Sequence, residues 1–332
     1  FDLVSATSDY SGFKRSELVF ECVEDDLKLK LEVLKEVQPL TLEDSIYLSN
    51  SFVYPIAGIA SNSIRPDRVL GFRVFDPGYS SEIIEISVTE TTSKEALAEV
   101  IEFSKHLGKI PIVVNGGTGS YTTRVQLAYF NESLNLVSEG VTIEDIEEAM
   151  ISIGFDEGPF KVIDKIGIDI VQKASNIIYQ VNGDKIKPHP SLGLLVNNGR
   201  KGVKTDQGFY RYHKGQGKFD KSVYKFFPVH SEKSENISHK DIQERLLLAM
   251  VNEALLCLEE GVITSAQDGD IAALLGLGFP AVLGGPFNYV DSIGAGEILK
   301  KLHNLSVKYG ARFISPILLK NTSVAGNKFY EN

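Results

Sequence analysis

Residues 49–85 read SNSFVYPIAGIASNSIRPDRVLGFRVFDPGYSSEIIE, and this stretch decides the fold of the first part of the chain. Two runs in it or overlapping it, 69–75 and 83–88, are rich in β-branched and aromatic residues, which are typical of strands. A third apolar run at 46–48 leads into a polar turn at 49–51. The pattern therefore predicts three strands, with a polar turn directly after the first of them.

The segments on either side alternate between strand and helix patterns. Residues 17–22 are predicted to form a short buried strand, and a charged amphipathic helix follows it through about Val37. Ser93 opens a second helical pattern, and 110–114 is a further strand. Strands that alternate with helices indicate an α/β domain with a largely parallel sheet, and we place this domain at 1–115.

From residue 121 onward the pattern is helical, and it occurs twice. The first copy is marked by Phe130–Asn131–Glu132, Glu139–Gly140–Val141, Gly158–Pro159–Phe160, Asp164 and Gly167. The second copy repeats the order with Val251–Asn252–Glu253, Glu260–Gly261–Val262, Gly285–Pro286–Phe287, Asp291 and Gly294. We therefore predict a first helical copy at 116–229, a polar linker at 230–240 and a second helical copy at 241–332.

Charge, hydropathy and cysteine content exclude several classes of function. The chain of 332 residues has 34 Lys and Arg against 44 Asp and Glu, so its net charge is −10. Nucleic-acid binding usually needs a basic face, so we expect no nucleic-acid partner. No apolar run reaches the roughly 18–20 residues that span a bilayer, so any membrane contact would be peripheral. Cys22 and Cys257 lie far apart in apolar segments, which predicts buried free thiols and no metal site.

Three motifs in the opening stretch resemble the catalytic strip of the 3-hydroxyacyl-CoA dehydrogenase family. That family carries a Ser–Asn–Thr–Ser turn, a Gly–x–His–x–Phe–x–Pro strand and a downstream Glu. Here the turn is Ser49–Asn50–Ser51–Phe52, the strand begins Gly71–Phe72–Arg73–Val74–Phe75, and the Glu is Glu85. The resemblance covers essentially all 332 residues, and the repeated helical half is similar to that of the multifunctional fatty-acid oxidation members.

The resemblance implies a fold class of α/β plus all-α: a truncated Rossmann-like NAD-binding domain followed by a duplicated helical dehydrogenase C-terminal domain. A Rossmann domain normally opens with a strand, a Gly-x-Gly-x-x-Gly turn and a helix. The first part of this sequence contains no such unit, and the glycine-rich residues 116–119 follow its last strand rather than its first. We therefore expect the domain to lack its first βαβ unit, and NAD binding to be impaired.

The resemblance also assigns the chemistry of the site. The family moves a hydride from C3 of a 3-hydroxyacyl-CoA to NAD while a histidine base removes the hydroxyl proton. In this chain Arg73 stands at the position of the family's histidine, and Phe52 stands at that of a substrate-binding serine. Glu85 corresponds to the carboxylate that pairs with the histidine, and Thr123 corresponds to a polar residue near the substrate oxygen. A guanidinium stays protonated and accepts no proton. We therefore expect weak or absent oxidation and an Arg73–Glu85 ion pair.

Three residues match cofactor positions of the family. Asp25, Lys30 and Asn50 correspond to residues near the nicotinamide half of NAD. Two alternatives stay open beside this assignment. Asp25 could be a charge favoured at a helix N-terminus, and Lys30 could be a solvated helix lysine.

Two further groups of charged residues allow a structural or a binding interpretation. Arg200, Lys201 and Lys204 either meet CoA phosphates or form a solvated basic loop. The Asn131–Glu132 and Asn252–Glu253 pairs are predicted to bond across the two helical copies.

Two hypotheses about function follow. The first is an NAD-dependent 3-hydroxyacyl-CoA dehydrogenase segment of fatty-acid β-oxidation with degenerate chemistry, whose substrate is a long-chain 3-hydroxyacyl-CoA. The second is a non-catalytic module of the same fold that binds acyl-CoA or CoA, or assembles with a thiolase (beta) subunit or as a homo-oligomer. An unrelated hydroxy-acid dehydrogenase would not explain the two Gly–Pro–Phe motifs. By resemblance, the expected location is the mitochondrion.

Overall fold

The computed structural model describes residues 4–75, 81–116, 119–183, 187–228 and 237–330, with only the backbone at 181 and 182. The chain forms two units, Phe1–Ser120 and Tyr121–Asn332. The first is α/β and the second is mainly helical, as the strand and helix patterns predict.

In the described part of the first unit, five strands form one sheet. They are β1 (Leu18–Glu21), β2 (Ile46–Ser49), β3 (Val69–Val74), β4 (Ile83–Val88) and β5 (Ile110–Asn115). The order across the sheet is β1-β2-β3-β4-β5, and only the pair β3–β4 is antiparallel. The accompanying helices are α1 (Leu27–Val37), α2 (Ile56–Ala60) and α3 (Lys94–His106). The prediction of a largely parallel sheet is confirmed.

The sheet separates two apolar layers, and successive side chains of β2 point alternately into one layer and the other. Tyr47 packs with Leu34 of α1 in the layer on one face of the sheet. Its neighbours Ile46 and Leu48 pack with Val100 of α3 in the layer on the other face. Because successive side chains of a strand point to opposite faces, an apolar run without polar alternation requires helices on both faces.

Helices α1 and α3 begin where the sequence supplies a capping side chain. Asp26 Oδ1 accepts a hydrogen bond from Leu29 N at 3.0 Å, and Ser93 Oγ accepts one from Ala96 N at 3.1 Å. These bonds satisfy backbone donors that the first turn of a helix leaves without intrahelical acceptors. The Ser93 signal therefore predicts the start of α3 correctly.

Within the described residues, the helical unit contains the same five-helix order twice. The first set is α4 (Tyr121–Ser138), α5 (Ile143–Ser152), α6 (Pro159–Ile166), α7 (Ile168–Asn182) and α8 (Pro190–Asn197). The second set is α9 (His239–Glu259), α10 (Ala266–Leu277), α11 (Pro286–Ile293), α12 (Ala295–Tyr309) and α13 (Ile317–Ala325). An antiparallel hairpin of β6 (Tyr210–His213) and β7 (Gln216–Phe219) lies between them in the sequence. The predicted helical duplication is confirmed.

The repeated Gly–Pro–Phe motif starts a helix in each copy for a steric and hydrogen-bonding reason. In the first copy, Glu147 of α5 accepts from Phe160 N at 2.8 Å and from Lys161 N at 3.3 Å. The proline lacks an N–H, so the carboxylate takes the next two donors of α6. A Cβ on Gly158 would lie 2.4 Å from Glu147 Oε2, which explains the glycine. Asp270 does the same at the start of α11.

Glutamates join the two helical copies, but the asparagine Asn252 does not. Glu132 in α4 contacts an arginine of α9, and Glu253 in α9 contacts an arginine of α4. Asn252 donates instead to two backbone oxygens between α12 and α13, each at 3.2 Å. The predicted cross-copy contact is confirmed for the glutamates and wrong for Asn252, whose amide binds the chain where it turns within its own copy.

The two cysteines lie in different surroundings. Cys257 in α9 is buried, as predicted, but Cys22 is exposed. The prediction of a buried Cys22 is wrong: β1 ends at Glu21, and Cys22 follows it at an exposed position. Across the described ranges, no group of three or more His, Cys, Asp and Glu side chains could hold a metal ion. No helix in those ranges is long and apolar enough to cross a membrane.

The end of the predicted linker is also corrected. Its last two residues, His239 and Lys240, already belong to α9. Ser238 and Asp241 form a reciprocal capping box there, which starts the helix earlier than the polar composition indicates. The part of the linker at 230–236 lies outside the described residues.

Candidate active site

The turn after β2 is held by Asp25, which precedes α1. Its carboxylate accepts hydrogen bonds from Ser51 Oγ at 2.7 Å and from the backbone N–H groups of Phe52 and Val53, both at 2.9 Å. These bonds fix the backbone that carries Phe52. The neighbouring Asp26, not Asp25, is the N-cap of α1. Asp25 is therefore a turn-holding residue, and the alternative of a helix N-terminal charge describes Asp26 better.

Lys30 of α1 lies in a buried polar cluster that also includes the turn. Its Nζ lies 2.9 and 3.1 Å from the two carboxylate oxygens of Glu21, and it donates to Asn50 O at 2.8 Å. Ser49 Oγ donates to Glu21 Oε2 at 2.6 Å. The alternative of a solvated Lys30 is wrong, because none of its surface is exposed. Sequence reasoning missed Glu21, although a charge at the end of a buried strand is a signal that could have found it.

These contacts test whether the candidate cofactor residues fit NAD. The Asp25 carboxylate and the Lys30 ammonium both bind groups of the protein itself. Asn50 is half-buried, and its backbone oxygen is engaged by Lys30. The two charged residues hold the turn through these contacts, and a contact of either one with the cofactor stays a prediction. A cofactor contact by the Asn50 side chain stays a prediction.

Arg73 on β3 and Glu85 on β4 face each other in the antiparallel register. Side chains at such positions lie on the same side of a sheet and within reach of each other. The guanidinium carbon of Arg73 lies 4.6 Å from the ring centre of Phe52 and 4.7 Å from that of Phe75, so two aromatic rings hold the cation. Arg73 Nη1 also donates to Ser120 Oγ at 3.4 Å. The structure therefore brings Phe52, Arg73 and Glu85 together.

The protonation of Arg73 follows from these surroundings. Arg73 is 8% exposed and Glu85 is fully buried. Burial lowers the pKa of Arg73 to about 10, while the negative charges of Glu85 and Asp25 raise it. The guanidinium is thus protonated near pH 7. In that state it donates hydrogen bonds and accepts none, so it cannot remove a proton from a ligand.

A small cavity adjoins these side chains. The residues that line it include Phe52, Arg73, Glu85, Ser87 and Ser120. Its volume of about 20 Å³ is space for one water-sized group. The cavity is therefore an oxygen-sized space with a fixed cation in its wall.

The remaining candidate residues lie in the helical unit. Thr123 is buried on α4, with 1% of its surface exposed. Arg200 is buried and donates to a backbone oxygen at 2.8 Å and to a carboxylate at 2.9 Å. The Nζ atoms of Lys204 and Lys201 lie 2.6 and 3.8 Å from the carboxylate of Asp169. The solvated-loop interpretation is wrong for Arg200, and all three cations have partners within the unit.

A largely parallel sheet buried between helices, joined to a duplicated helical part, defines the class of two-part dehydrogenases with an NAD-binding domain. The chain belongs to the 3-hydroxyacyl-CoA dehydrogenase family. The model of that family's NAD-binding domain matches residues 1–117, and the model of its C-terminal domain matches residues 119–212 and 242–331.

Curated relatives are similar to this chain over its whole length. The fatty acid oxidation complex subunit alpha of Shewanella frigidimarina is 37% identical over 332 residues, which are 99% of this chain and 46% of that protein. The same subunit of Vibrio vulnificus is 36% identical over 329 residues, again 99% of this chain and 46% of that protein. The chain thus spans about half the length of the curated relatives it matches.

Two solved structures extend the likeness to three dimensions. The 3-hydroxybutyryl-CoA dehydrogenase of Escherichia coli has a TM-score of 0.79 at 20% identity, with 96% of this chain and 84% of that chain covered. At that identity the match shows the fold alone. The dehydrogenase part of multifunctional enzyme 1 from C. elegans has a TM-score of 0.64 at 27% identity, with 95% and 73% covered.

The location expected from the resemblance needs correction. The curated relatives from Shewanella and Vibrio are bacterial proteins, and bacteria have no mitochondria. The prediction of a mitochondrial location is therefore wrong.

Proposed function

We propose that this chain is the 3-hydroxyacyl-CoA dehydrogenase part of a fatty-acid oxidation protein whose oxidation step is strongly weakened. The family reaction would convert a long-chain 3-hydroxyacyl-CoA and NAD into the 3-ketoacyl-CoA and NADH. Family membership supports this reaction class, as do relatives named as fatty acid oxidation complex subunits. The observation that carries the weakening is the buried Arg73, held between Phe52 and Phe75 and facing Glu85.

The weakened step has two chemical causes. Oxidation of the 3-hydroxyl needs a group that takes its proton, and a guanidinium with a pKa of about 10 is already protonated at neutral pH. Loss of a general base lowers a rate by about 10²–10⁴-fold. Phe52 adds to this loss, because its ring has no hydroxyl with which to bond the substrate oxygen.

Glu85 has a changed role in this proposal. A carboxylate beside a catalytic histidine orients the ring and stabilises its cation. Here the charge of Glu85 stabilises protonated Arg73 instead, since it raises the pKa of the guanidinium against the effect of burial. The carboxylate therefore holds a fixed cation in the place where the family has a proton acceptor.

Restoring the two residues tests the proposal. The natural polypeptide that contains residues 1–332 is compared with Arg73→His, Phe52→Ser and the double variant, using 3-hydroxyacyl-CoA and NAD. We expect the double variant to gain about 10²-fold or more in kcat/KM. The matched control is Arg73→Gln with Phe52→Ser, which removes the cation without supplying a base and should show no such gain. Turnover of the natural chain equal to that of the double variant would contradict the proposal.

A non-catalytic module of the same fold is the second candidate. The small size of the cavity beside Arg73 favours it, since about 20 Å³ is space for only one water-sized group. Its partners would be acyl-CoA or CoA, a thiolase (beta) subunit or a second copy of the chain. A double variant that binds acyl-CoA but stays inactive would support this candidate. Light scattering of the natural polypeptide, alone and with a beta subunit, would measure its assembly.

A further inference from the structure

A groove of about 470 Å³ lies in the second helical copy, between α12, α13 and the residues that join them. This volume falls in the range of sites for small organic ligands, roughly 300–1,000 Å³. The described residues that line it include nitrogen-bearing, hydroxyl and apolar side chains, namely Lys300, His303, Lys320, Ser315, Leu299 and Ile314. None of the described lining residues is acidic. The groove therefore presents positive charge on a chain whose net charge is −10.

One wall of the groove is a single face of α12. Gly296, Lys300 and His303 follow one another at intervals of four and three residues, which places them on the same side of a helix. A Cβ on Gly296 would lie 3.3 Å from Ser323 Oγ of α13, so the glycine allows the two helices to approach closely at this end. Lys320 contributes from near the start of α13. The two lysines therefore stand on different helices and border one space.

The first helical copy carries a carboxylate at the equivalent place. Helices α7 and α12 each have 15 residues and each follow a glycine, so Asp169 corresponds to Gly296. Asp169 Oδ1 lies 2.6 Å from Lys204 Nζ, so in the first copy this carboxylate is paired with a lysine. The second copy has a glycine instead, and neither Lys300 nor Lys320 forms an ion pair with another described residue. Their charges are thus available to an anion that comes from outside.

The donors of the groove match a phosphate group better than a carboxylate. Two ammonium groups, an imidazole and the hydroxyl of Ser315 supply several N–H and O–H donors. The proton of Ser306 is not among them, because its Oγ already donates to His303 O at 2.8 Å. A phosphate monoester carries a charge of about −1.5 to −2 near pH 7 and three acceptor oxygens, whereas a carboxylate carries a single charge and two oxygens. Two lysines therefore balance the charge of a phosphate.

The apolar part of the lining indicates that the phosphate is attached to an organic group. Leu299 is partly exposed and Ile314 is 50% exposed, so a bound apolar group would cover surface that water now contacts. We propose that the groove between α12 and α13 is a binding site for a phosphate monoester, with the two lysines on the phosphate and the two apolar side chains on the organic part. This site concerns the second helical copy alone and does not rest on the proposed function.

Competitive acetylation of lysines in the natural polypeptide, read by mass spectrometry, tests the site at the groove itself. The probe is butyl phosphate, and the comparisons are inorganic phosphate, 1-butanol and sodium chloride at equal ionic strength. We expect butyl phosphate to protect Lys300 and Lys320 several-fold, and at a lower concentration than inorganic phosphate. Lys328 is the internal control, because it is exposed in the same copy outside the groove, and its acetylation should not change. Adenosine 3′-monophosphate and a lysophosphatidate then show whether a nucleotide ester or a lipid ester binds more tightly.

Two variants test whether the lysines share one ligand. Lys300→Met should raise the concentration of butyl phosphate that protects Lys320 by about 3–5-fold, and Lys320→Met should do the same for Lys300. Lys328→Met is the matched control and should leave both concentrations unchanged. All three lysines are exposed, so the variants should keep the thermal midpoint of the natural chain.

Several results would overturn the phosphate monoester site. They include no protection of Lys300 and Lys320, equal protection of Lys328, and equal protection by sodium chloride. Protection by 1-butanol alone would show an apolar site without anion recognition, and equal potency of inorganic phosphate would remove the organic group from the ligand. Protection by neither the nucleotide nor the lipid ester would also contradict the site. Unchanged protection of Lys320 in Lys300→Met would mean that the two lysines do not share a ligand, which the site requires.

Discussion

Arg124 in α4 and Arg245 in α9 make equivalent ion pairs: each arginine contacts two glutamates of the other helical copy. Arg124 lies 2.7 Å from Glu253 and 2.5 Å from Glu260. Arg245 contacts Glu132, and it lies 2.6 Å from Glu139. Each of these three residues in the first copy has an identical residue 121 positions later in the second copy: Arg124 and Arg245, Glu132 and Glu253, and Glu139 and Glu260. The two copies therefore pair through a self-complementary surface, like the interface of a two-fold symmetric dimer, but within one chain.

We expect Arg124→Met to destabilise the helical unit by about 3–5 kcal/mol. Both Arg124 and Glu253 are buried, so the variant leaves a carboxylate in the interior without its cation. The midpoint of urea denaturation, followed by circular dichroism, measures the loss. Arg124→Met combined with Glu253→Gln should recover part of the stability. Lys218→Met is the control, because Lys218 is exposed, and an Arg124→Met midpoint equal to that control would contradict the expectation.

Two lysines of α1, the buried Lys30 and the exposed Lys28, allow a controlled test of what a buried ion pair contributes to the stability of the first unit. We expect Lys30→Met to cost about 3–5 kcal/mol, because it leaves the carboxylate of Glu21 buried beside an apolar group. Lys28 is 86% exposed in its side chain and lies 3.8 Å from Glu32, so Lys28→Met should cost less than about 0.5 kcal/mol. Chemical denaturation of both variants gives the comparison. Similar losses for the two would mean that the Glu21–Lys30 pair is not the source of the effect.

Alanine variants of Asp25 and of its neighbour Asp26 test which side chain holds the turn that carries Phe52. Asp25→Ala removes an acceptor from three hydrogen bonds, and we expect a loss of roughly 2–3 kcal/mol. Asp26→Ala removes only the N-cap of α1, which is worth about 1 kcal/mol. Asp25→Ala should also broaden the NMR signals of residues in the turn, since their backbone is no longer fixed. Unchanged signals in that turn would speak against a turn-holding Asp25.

The helical unit should lose stability as pH rises from about 4.5 to about 7. Burial raises the pKa of Glu147 from 4.5 to about 7, so in this range the folded state binds more protons than the unfolded state. The protonated form favours folding below pH 4.5, and this contribution of about 3 kcal/mol is lost by pH 7. The thermal midpoint between pH 4.5 and 7.5 measures the effect.

Two variants isolate the contribution of Glu147. Glu147→Gln cannot ionise, so it should flatten the pH dependence of the thermal midpoint. Glu148→Gln is the control, because Glu148 is the next residue and is exposed. Asp164, whose pKa burial raises to about 6, contributes a smaller slope with the same sign and should remain visible in Glu147→Gln. An identical slope in the wild type and Glu147→Gln would assign the pH dependence to other groups.

Much of the framework around the site could be predicted because side-chain periodicity is local. The run 83–88 predicts β4, which lies at Ile83–Val88, and Ser93 predicts the start of α3. Asp25 and Lys30 illustrate the limit of such patterns. Their partners come from the turn after β2 and from β1, and no spacing rule connects residues that meet only after the sheet has formed. The sequence alone does not distinguish a lysine that is buried in an ion pair, such as Lys30, from an exposed one, such as Lys28.

The sequence by itself determined the alternation of strands and helices, the helical duplication and the identity of the groups at the site. Arg73 cannot accept a proton in any fold, because that property belongs to the guanidinium itself. Only the tertiary structure decided what surrounds these groups. The rings of Phe52 and Phe75 contact the guanidinium of Arg73, and the carboxylate of Glu21 pairs with Lys30. These contacts depend on which strand ends and turns meet in space, and long-range packing sets that arrangement rather than local residue preference.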